Sequence, residues 1–128
     1  MSMPRLFRVI LPVTDIETAA TFYAELLGQP GMRVSGGRHY FRCGDVTLAL
    51  YSPKGDGDPR EPRPNWDHVY FAVDDLENTF ERAGKAGAKI LSQIETQPWG
   101  ERSFYCSDPF GNKLCFVADG TLFTAGLI

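Results

Sequence analysis

Residues 5–17 (Arg-Leu-Phe-Arg-Val-Ile-Leu-Pro-Val-Thr-Asp-Ile-Glu) come back at residues 65–77 (Asn-Trp-Asp-His-Val-Tyr-Phe-Ala-Val-Asp-Asp-Leu-Glu), offset by 60 positions. In that register Val9 falls on Val69, Val13 on Val73, Asp15 on Asp75, Ile16 on Leu76 and Glu17 on Glu77. Each copy is an apolar strand that stops at a polar or acidic cap and turns into a helix. Using this unit twice in 128 residues restricts the chain to two similar modules that share one core. The copies differ most at positions 8 and 68, an arginine against a histidine.

The first module is read over residues 5–53. Residues 5–13 form a strand, and Thr14 with Glu17 has the spacing of a capping box, matched in the repeat by Asp74 and Glu77. Ile16, Ala19, Ala20, Tyr23 and Leu27 then lie on one helical face that Gly28 ends. Residues 33–35 are weakly strand-like; residues 39–43 and 46–51 are stronger strands joined by the tight turn Gly44-Asp45. The order is β-α-β-β-β. Residues 54–64 belong to a stretch whose four prolines and two glycines, counted from Pro53, forbid a regular element, and it is read as an extended linker.

The pattern then restarts over residues 65–118. Residues 66–73 read as a strand, Leu76, Phe80 and Ala83 as the inner face of a helix, and residues 89–94, 102–106 and 113–118 as strands. Asp108-Pro109-Phe110-Gly111-Asn112 has Pro and Gly where a turn with a left-handed exit wants them. The tail, residues 119–128, is too apolar for water, and we expect it to pack on the body or on a second subunit.

Charge excludes one class of partner. A net charge of -3, with no basic cluster, argues against nucleic acid, because phosphate neutralisation needs a concentrated basic face. The apolar run at residues 6–13 is short and broken by Arg8 and Pro12, so no membrane partner is expected. Three cysteines without a Cys-x-x-Cys spacing read as reduced thiols, and the expected location is the cytoplasm.

Four stretches carry a resemblance: Val13-Thr14-Asp15-Ile16-Glu17, Phe22-Tyr23-Ala24-Glu25-Leu26-Leu27-Gly28, His68-Val69-Tyr70-Phe71-Ala72-Val73-Asp74-Asp75-Leu76, and Asp108-Pro109-Phe110-Gly111-Asn112-Lys113-Leu114. Over about residues 5 to 118 the chain resembles the vicinal oxygen chelate superfamily of glyoxalases, extradiol dioxygenases and bleomycin-resistance proteins. That resemblance implies an α+β fold in which two β-α-β-β-β modules curl mixed sheets around a cavity. It also implies a homodimer. Metal-using members are similar in placing one ligand on the first strand and one on the last strand of each module. Those positions here are Arg8, Ala49, His68 and Cys115, so the usual carboxylates and one histidine are missing. A guanidinium cannot ligate a cation, and His plus Cys is only two ligands, so neither metal nor other cofactor is expected.

Strand alternation says what lines the cavity instead. With Arg8 inward, Ile10 is inward too; His68 brings Trp66 and Tyr70, Ala49 brings Thr47 and Tyr51, and Cys115 brings Val117. The candidate ligand-binding residues are Arg8, Tyr51, Trp66, His68, Tyr70 and Cys115, with Trp99 from the Pro98-Trp99-Gly100 loop as a further wall. Such a cavity suits a small organic ligand, and Arg8 with His68 makes it favour an anionic one. The residues alone leave plainer roles open. Arg8 can face solvent or a subunit interface, the aromatics can be core, Cys115 can be a small buried residue, and Trp99 can be a surface anchor. The leading expectation is a metal-free small-molecule-binding protein that sequesters an antibiotic or metabolite, as bleomycin-resistance proteins do. The alternatives are a metal-dependent lyase or dioxygenase, and a cofactor-independent isomerase with His68 as base.

Overall fold

The computed structural model describes residues 3–127. The first half contains β1 (Arg8–Pro12), α1 (Ile16–Leu27), β2 (Met32–Ser35), β3 (Arg38–Cys43) and β4 (Val46–Tyr51). The second contains β5 (Val69–Val73), α2 (Leu76–Ala86), β6 (Lys89–Ile90), β7 (Glu95–Thr96), β8 (Arg102–Ser107) and β9 (Lys113–Ala118). One sheet has the order β1-β4-β3-β2; the other has β5-β9-β8-β6, with β7 also on β8. β1 pairs parallel with β4 and β5 with β9, while the remaining ladders are antiparallel. The fold is α+β with two mixed sheets, and neither closes into a barrel. Among the described residues no helix is long and apolar enough to cross a membrane.

Both helices start one residue later than the capping-box spacing suggests. The caps are Asp15, whose carboxylate accepts from the Thr18 amide, and Asp75, which accepts from Asn78. Both helices end at a left-handed glycine, Gly28 and Gly87. The buried face of α1 is Ile16, Ala19, Phe22, Tyr23 and Leu26, while Ala20 and Leu27 are only half-buried. The face is turned from the expected one because α1 packs against α2 as well as its own sheet.

The helix-facing side chains of both halves merge into one core, with Leu11, Phe41, Leu48 and Leu50 from the first sheet meeting Phe104, Leu114 and Phe116 from the second. A run of rings knits the second half: Phe71 stacks on Phe116 at 5.0 Å, Phe116 on Phe104 at 5.4 Å, and Phe80 meets Phe104 edge-on. One polar cluster crosses the halves. Tyr23 Oη on α1 donates to Asp108 Oδ2 at 2.7 Å, Asn112 Nδ2 donates to the same oxygen and to the Pro12 carbonyl, and Asn65 N–H donates to Asn112 Oδ1.

Three expectations need correction, and for the tail one of the two expected packings is removed. The strand expected over residues 66–73 begins only at Val69, because Asn65 is held between Asn112 and the Ile10 carbonyl and cannot join a ladder. The strand expected over residues 89–94 breaks after Ile90, where the Leu91 and Ser92 amides both donate to the Tyr105 carbonyl and form a bulge. The supposed linker opens with a one-turn 3₁₀ helix, Pro53–Asp56, docked on the β2–β3 turn. The body does not cover the tail, where Leu122, Phe123 and Leu127 are 43%, 60% and 89% exposed; Ile128 lies outside the described residues.

Candidate functional site

Strand alternation holds on the first and last strands. On β1, Leu11 is in the core while Arg8 and Ile10 are exposed on the face away from the helices. The ladder register puts Ile10 beside Ala49 and Ala49 beside Tyr40, so Arg8, Ile10, Tyr40 and Ala49 share the open face of the first sheet. The Arg8 guanidinium carbon lies 5.3 Å from the Tyr40 ring centre and 5.0 Å from that of Phe7, in cation–π range.

On the second sheet Tyr70 is beside Cys115 and Cys115 beside Tyr105, so these three share a face with Ser103 and, just before β5, His68. The His68 ring meets Tyr105 edge-on at 4.8 Å and Tyr70 at 6.4 Å. Burial, and secondarily the Lys113 ammonium, pull the His68 imidazolium below its usual value, against the opposing charge of Asp67. The ring is therefore neutral at pH 7 and offers one donor and one acceptor. Burial first, then its hydrogen bond with Tyr70, pushes the Tyr105 phenol well above the usual range, so it stays a neutral hydroxyl.

Cys115 is fully buried, and burial pushes its thiol up to about 11 even though Ser103 and Tyr105 hydrogen-bond it. At pH 8 about one molecule in a thousand is then a thiolate, which is the reactive form. Iodoacetamide on the native protein at pH 8 should therefore mark half-buried Cys43 first, with Cys106 and Cys115 labelled only after denaturation. Peptide mapping of the alkylated protein reads this directly. Labelling of native Cys115 at the rate of a free thiol would contradict its burial.

The seven candidate residues separate into groups. His68, Tyr70 and Cys115 come together. Arg8 belongs to a different cluster, with Tyr40. Tyr51 lies at the end of β4, its ring 4.1 Å beneath the Arg38 guanidinium carbon and 6.0 Å from that of Arg60. Trp66, expected inward, is 86% exposed beside Lys113, because position 66 precedes the strand whose alternation was applied to it. Trp99 is half-exposed, its indole N–H donating to Glu101 Oε1 at 2.8 Å, which makes it an anchored surface residue. Sequence reasoning missed Tyr40, Tyr105, Ser103 and Arg38. Alternation carried onto β3 and β8 through the tight turns at Gly44 and Gly111 would have found them.

The residues at the four family positions do not fit a divalent metal. Ala49 has no donor, Arg8 is a permanent cation, Cys115 is a buried protonated thiol, and His68 is left as a single ligand. Among the described residues no three His, Cys, Asp or Glu side chains converge as an ion would need. The surface does carry organic-sized clefts. One of about 610 Å³ runs where the two halves meet and is lined by Leu6, Val9 and Leu48 on one side and Tyr70, Phe71 and Phe116 on the other.

Comparison with known proteins fixes the family. The profile of the Glyoxalase/Bleomycin resistance protein/Dioxygenase superfamily matches residues 5–116. The putative glyoxylase CFP32 of Mycobacterium tuberculosis is 32% identical over 100 residues, 74% of this chain, which spans only 36% of that relative's length. Glutathione transferase FosA of Serratia marcescens is 30% identical over 106 residues, covering 81% of this chain and 73% of FosA. A glyoxalase-related enzyme from Fulvimarina pelagi superposes with a TM-score of 0.77 over 92% of this chain and 90% of its own, at 20% identity, a likeness of fold alone. With its repeated strand–helix units, mixed sheets and profile match, this chain belongs to the glyoxalase/bleomycin resistance protein/dioxygenase superfamily.

Proposed function

We propose that this chain is a metal-free small-molecule-binding member of the superfamily, which holds a small organic anion by occupancy and does not transform it. One observation carries the reading: of the four positions where relatives place metal ligands, only His68 offers a donor, and it shares its face with phenols and a protonated thiol. A neutral imidazole, tyrosine hydroxyls and a guanidinium are groups that hydrogen-bond an oxyanion. Arg8 and His68 sit in separate clusters, so a ligand that touches both needs the open face of one copy set against that of another. Exposed Tyr70 and the apolar tail favour such a homodimer.

A second reading, an enzyme, is favoured by the names of relatives such as glutathione transferase FosA. It requires metal ligands from outside the four family positions. Both are tested on protein purified without chelator. Elemental analysis should find transition metal far below one atom per chain. Titration with benzoate and inorganic phosphate, followed at the amides around Arg8 and His68, should show binding that weakens about tenfold in Arg8→Ala, the worth of one charge-assisted hydrogen bond. Stoichiometric zinc, nickel, manganese or iron lost in His68→Ala would overturn the proposal, and so would equal affinity in Arg8→Ala read at the amides around Arg8 and His68.

A further inference from the structure

The Pro/Gly stretch between the halves does more than connect them. From Pro53 it folds back over one end of the first sheet's open face and borders a half-open pocket of about 730 Å³. That is within the range of cavities that hold small organic ligands. Its apolar walls include Ile10, Pro12, Pro53 and Pro62, and its cationic groups are Arg38, Arg60 and Arg63 against one lining carboxylate, Glu61. Tyr51 lines it as well.

Two of the arginines are held in place but not used up. Arg38 lies 4.1 Å over the Tyr51 ring, with Nε 3.4 Å from Asp56 Oδ2. Asp56 in turn accepts from Ser35 Oγ at 2.7 Å and from the Gly37 amide at 2.6 Å. Arg60 gives its Nε to Asp58 Oδ2 at 2.8 Å, and Asp58 also accepts from Tyr51 Oη at 3.3 Å. Arg60 is oriented by its Nε hydrogen bond to Asp58, and Arg38 by stacking on Tyr51 with a looser Nε ion pair to Asp56. Arg60 Nη2 also donates to Tyr51 Oη at 3.5 Å, a long bond, while Arg60 Nη1 and both terminal nitrogens of Arg38 are left to meet a carboxylate or phosphate. Arg63 adds a third, exposed cation at the rim.

We propose that this pocket is a second binding site, separate from the Arg8 and His68 clusters, for an organic anion. The anion's carboxylate or phosphate meets Arg38, Arg60 and Arg63, and its apolar body lies along Tyr51, Ile10 and the prolines. The site goes beyond the function proposed above and does not depend on it, since neither Arg8 nor His68 lines it.

The test titrates wild type, Arg8→Ala and the double variant Arg60→Ala/Arg63→Ala with phenyl phosphate, benzoate and inorganic phosphate, followed by amide NMR. Circular dichroism checks that each variant is folded. Phenyl phosphate should saturate with shifts centred on Tyr51, Gly37 and the 53–63 segment. Its affinity read at those amides should fall about tenfold or more in the double variant and stay within about twofold in Arg8→Ala, since Arg8 does not line this pocket; any binding at the Arg8 cluster is read separately, at the amides around Arg8 and His68. Benzoate at the same amides would identify a general carboxylate or phosphate site, and phenyl phosphate alone a phosphate-selective one; either supports the proposal. Inorganic phosphate should bind more weakly, because it cannot use the apolar walls. Four results would overturn the proposal: no saturable binding, an unaffected double variant, shifts that move to Arg8 and His68 and vanish in Arg8→Ala, or inorganic phosphate binding as tightly as the aryl anion.

Discussion

Replacing Asp108 by alanine is expected to destabilise the protein by about 3–5 kcal/mol, because it strands several buried donors at once. Asp108 is only 4% exposed and Asn112 is fully buried. The Asp108 carboxyl takes the Tyr23 hydroxyl and Asn112 Nδ2 on one oxygen, and the Phe110 and Asn112 amides on the other. Alanine removes every one of those acceptors, and no water can replace them without opening the core. At about 3–5 °C per kcal/mol for a chain of this length, the midpoint of thermal unfolding should drop by roughly 10–25 °C. Tyr23→Phe removes one donor and leaves the carboxyl its other partners, so its cost should be only about 1–1.5 kcal/mol. Urea unfolding of both variants separates a network from a single bond. A loss below about 1 kcal/mol for Asp108→Ala would show that the cluster does not hold the halves together.

That cluster marks a limit of sequence reading. The string Asp108-Pro109-Phe110-Gly111-Asn112 announces a turn through Pro and Gly, and Gly111 does take the left-handed conformation. Nothing local says that its polar side chains are sealed inside, since Asp and Asn are ordinarily exposed. Their burial follows from α1 of the other half lying across them, a contact between residues 85 apart. What was legible was periodic. The strand and helix of each copy, the turn at Gly44 and the open-face placement of Arg8, Tyr70 and Cys115 all follow from alternation and spacing.

What failed depended on hydrogen bonds between distant segments. The bulge at Ser92 depends on the Tyr105 carbonyl, and the late start of β5 depends on Asn65 being held by Asn112 and Ile10. Alternation was right wherever a residue really stood in a strand and wrong at Trp66, which does not. The separation of Arg8 from His68 was invisible for a different reason. A repeat says that two modules exist, but not which faces they turn toward each other.

The fold-back of residues 53–64 leads to the second large effect. Gly37→Ala should cost about 2–3 kcal/mol, the range for forcing an atom into a packed contact. The position carries no positive φ, so backbone strain is not the reason. A Cβ at Gly37 would sit 2.2 Å from the Ser52 carbonyl oxygen and 2.9 Å from the Asp56 amide nitrogen, both backbone atoms that cannot swing aside. Neighbouring Gly36 and Gly55 lock the same way, each Cβ falling within 2.4 Å of the other's carbonyl oxygen. Three glycines thus let two turns touch backbone to backbone, and the contact is closed by Ser52 N–H donating to the Gly37 carbonyl at 2.7 Å. Prising them apart also moves Asp56, which aims Arg38 over Tyr51, so phenyl phosphate affinity should fall together with stability. Gly84→Ala is the control. It stands exposed in α2 with nothing within 4 Å of its added Cβ, and removing a helical glycine should gain about 0.5–1 kcal/mol. Chemical unfolding of the pair should move the two midpoints in opposite directions. A Gly37→Ala protein within about 0.5 kcal/mol of wild type would mean that the turns do not meet as described, and that Asp56 does not hold Arg38 over Tyr51 through them.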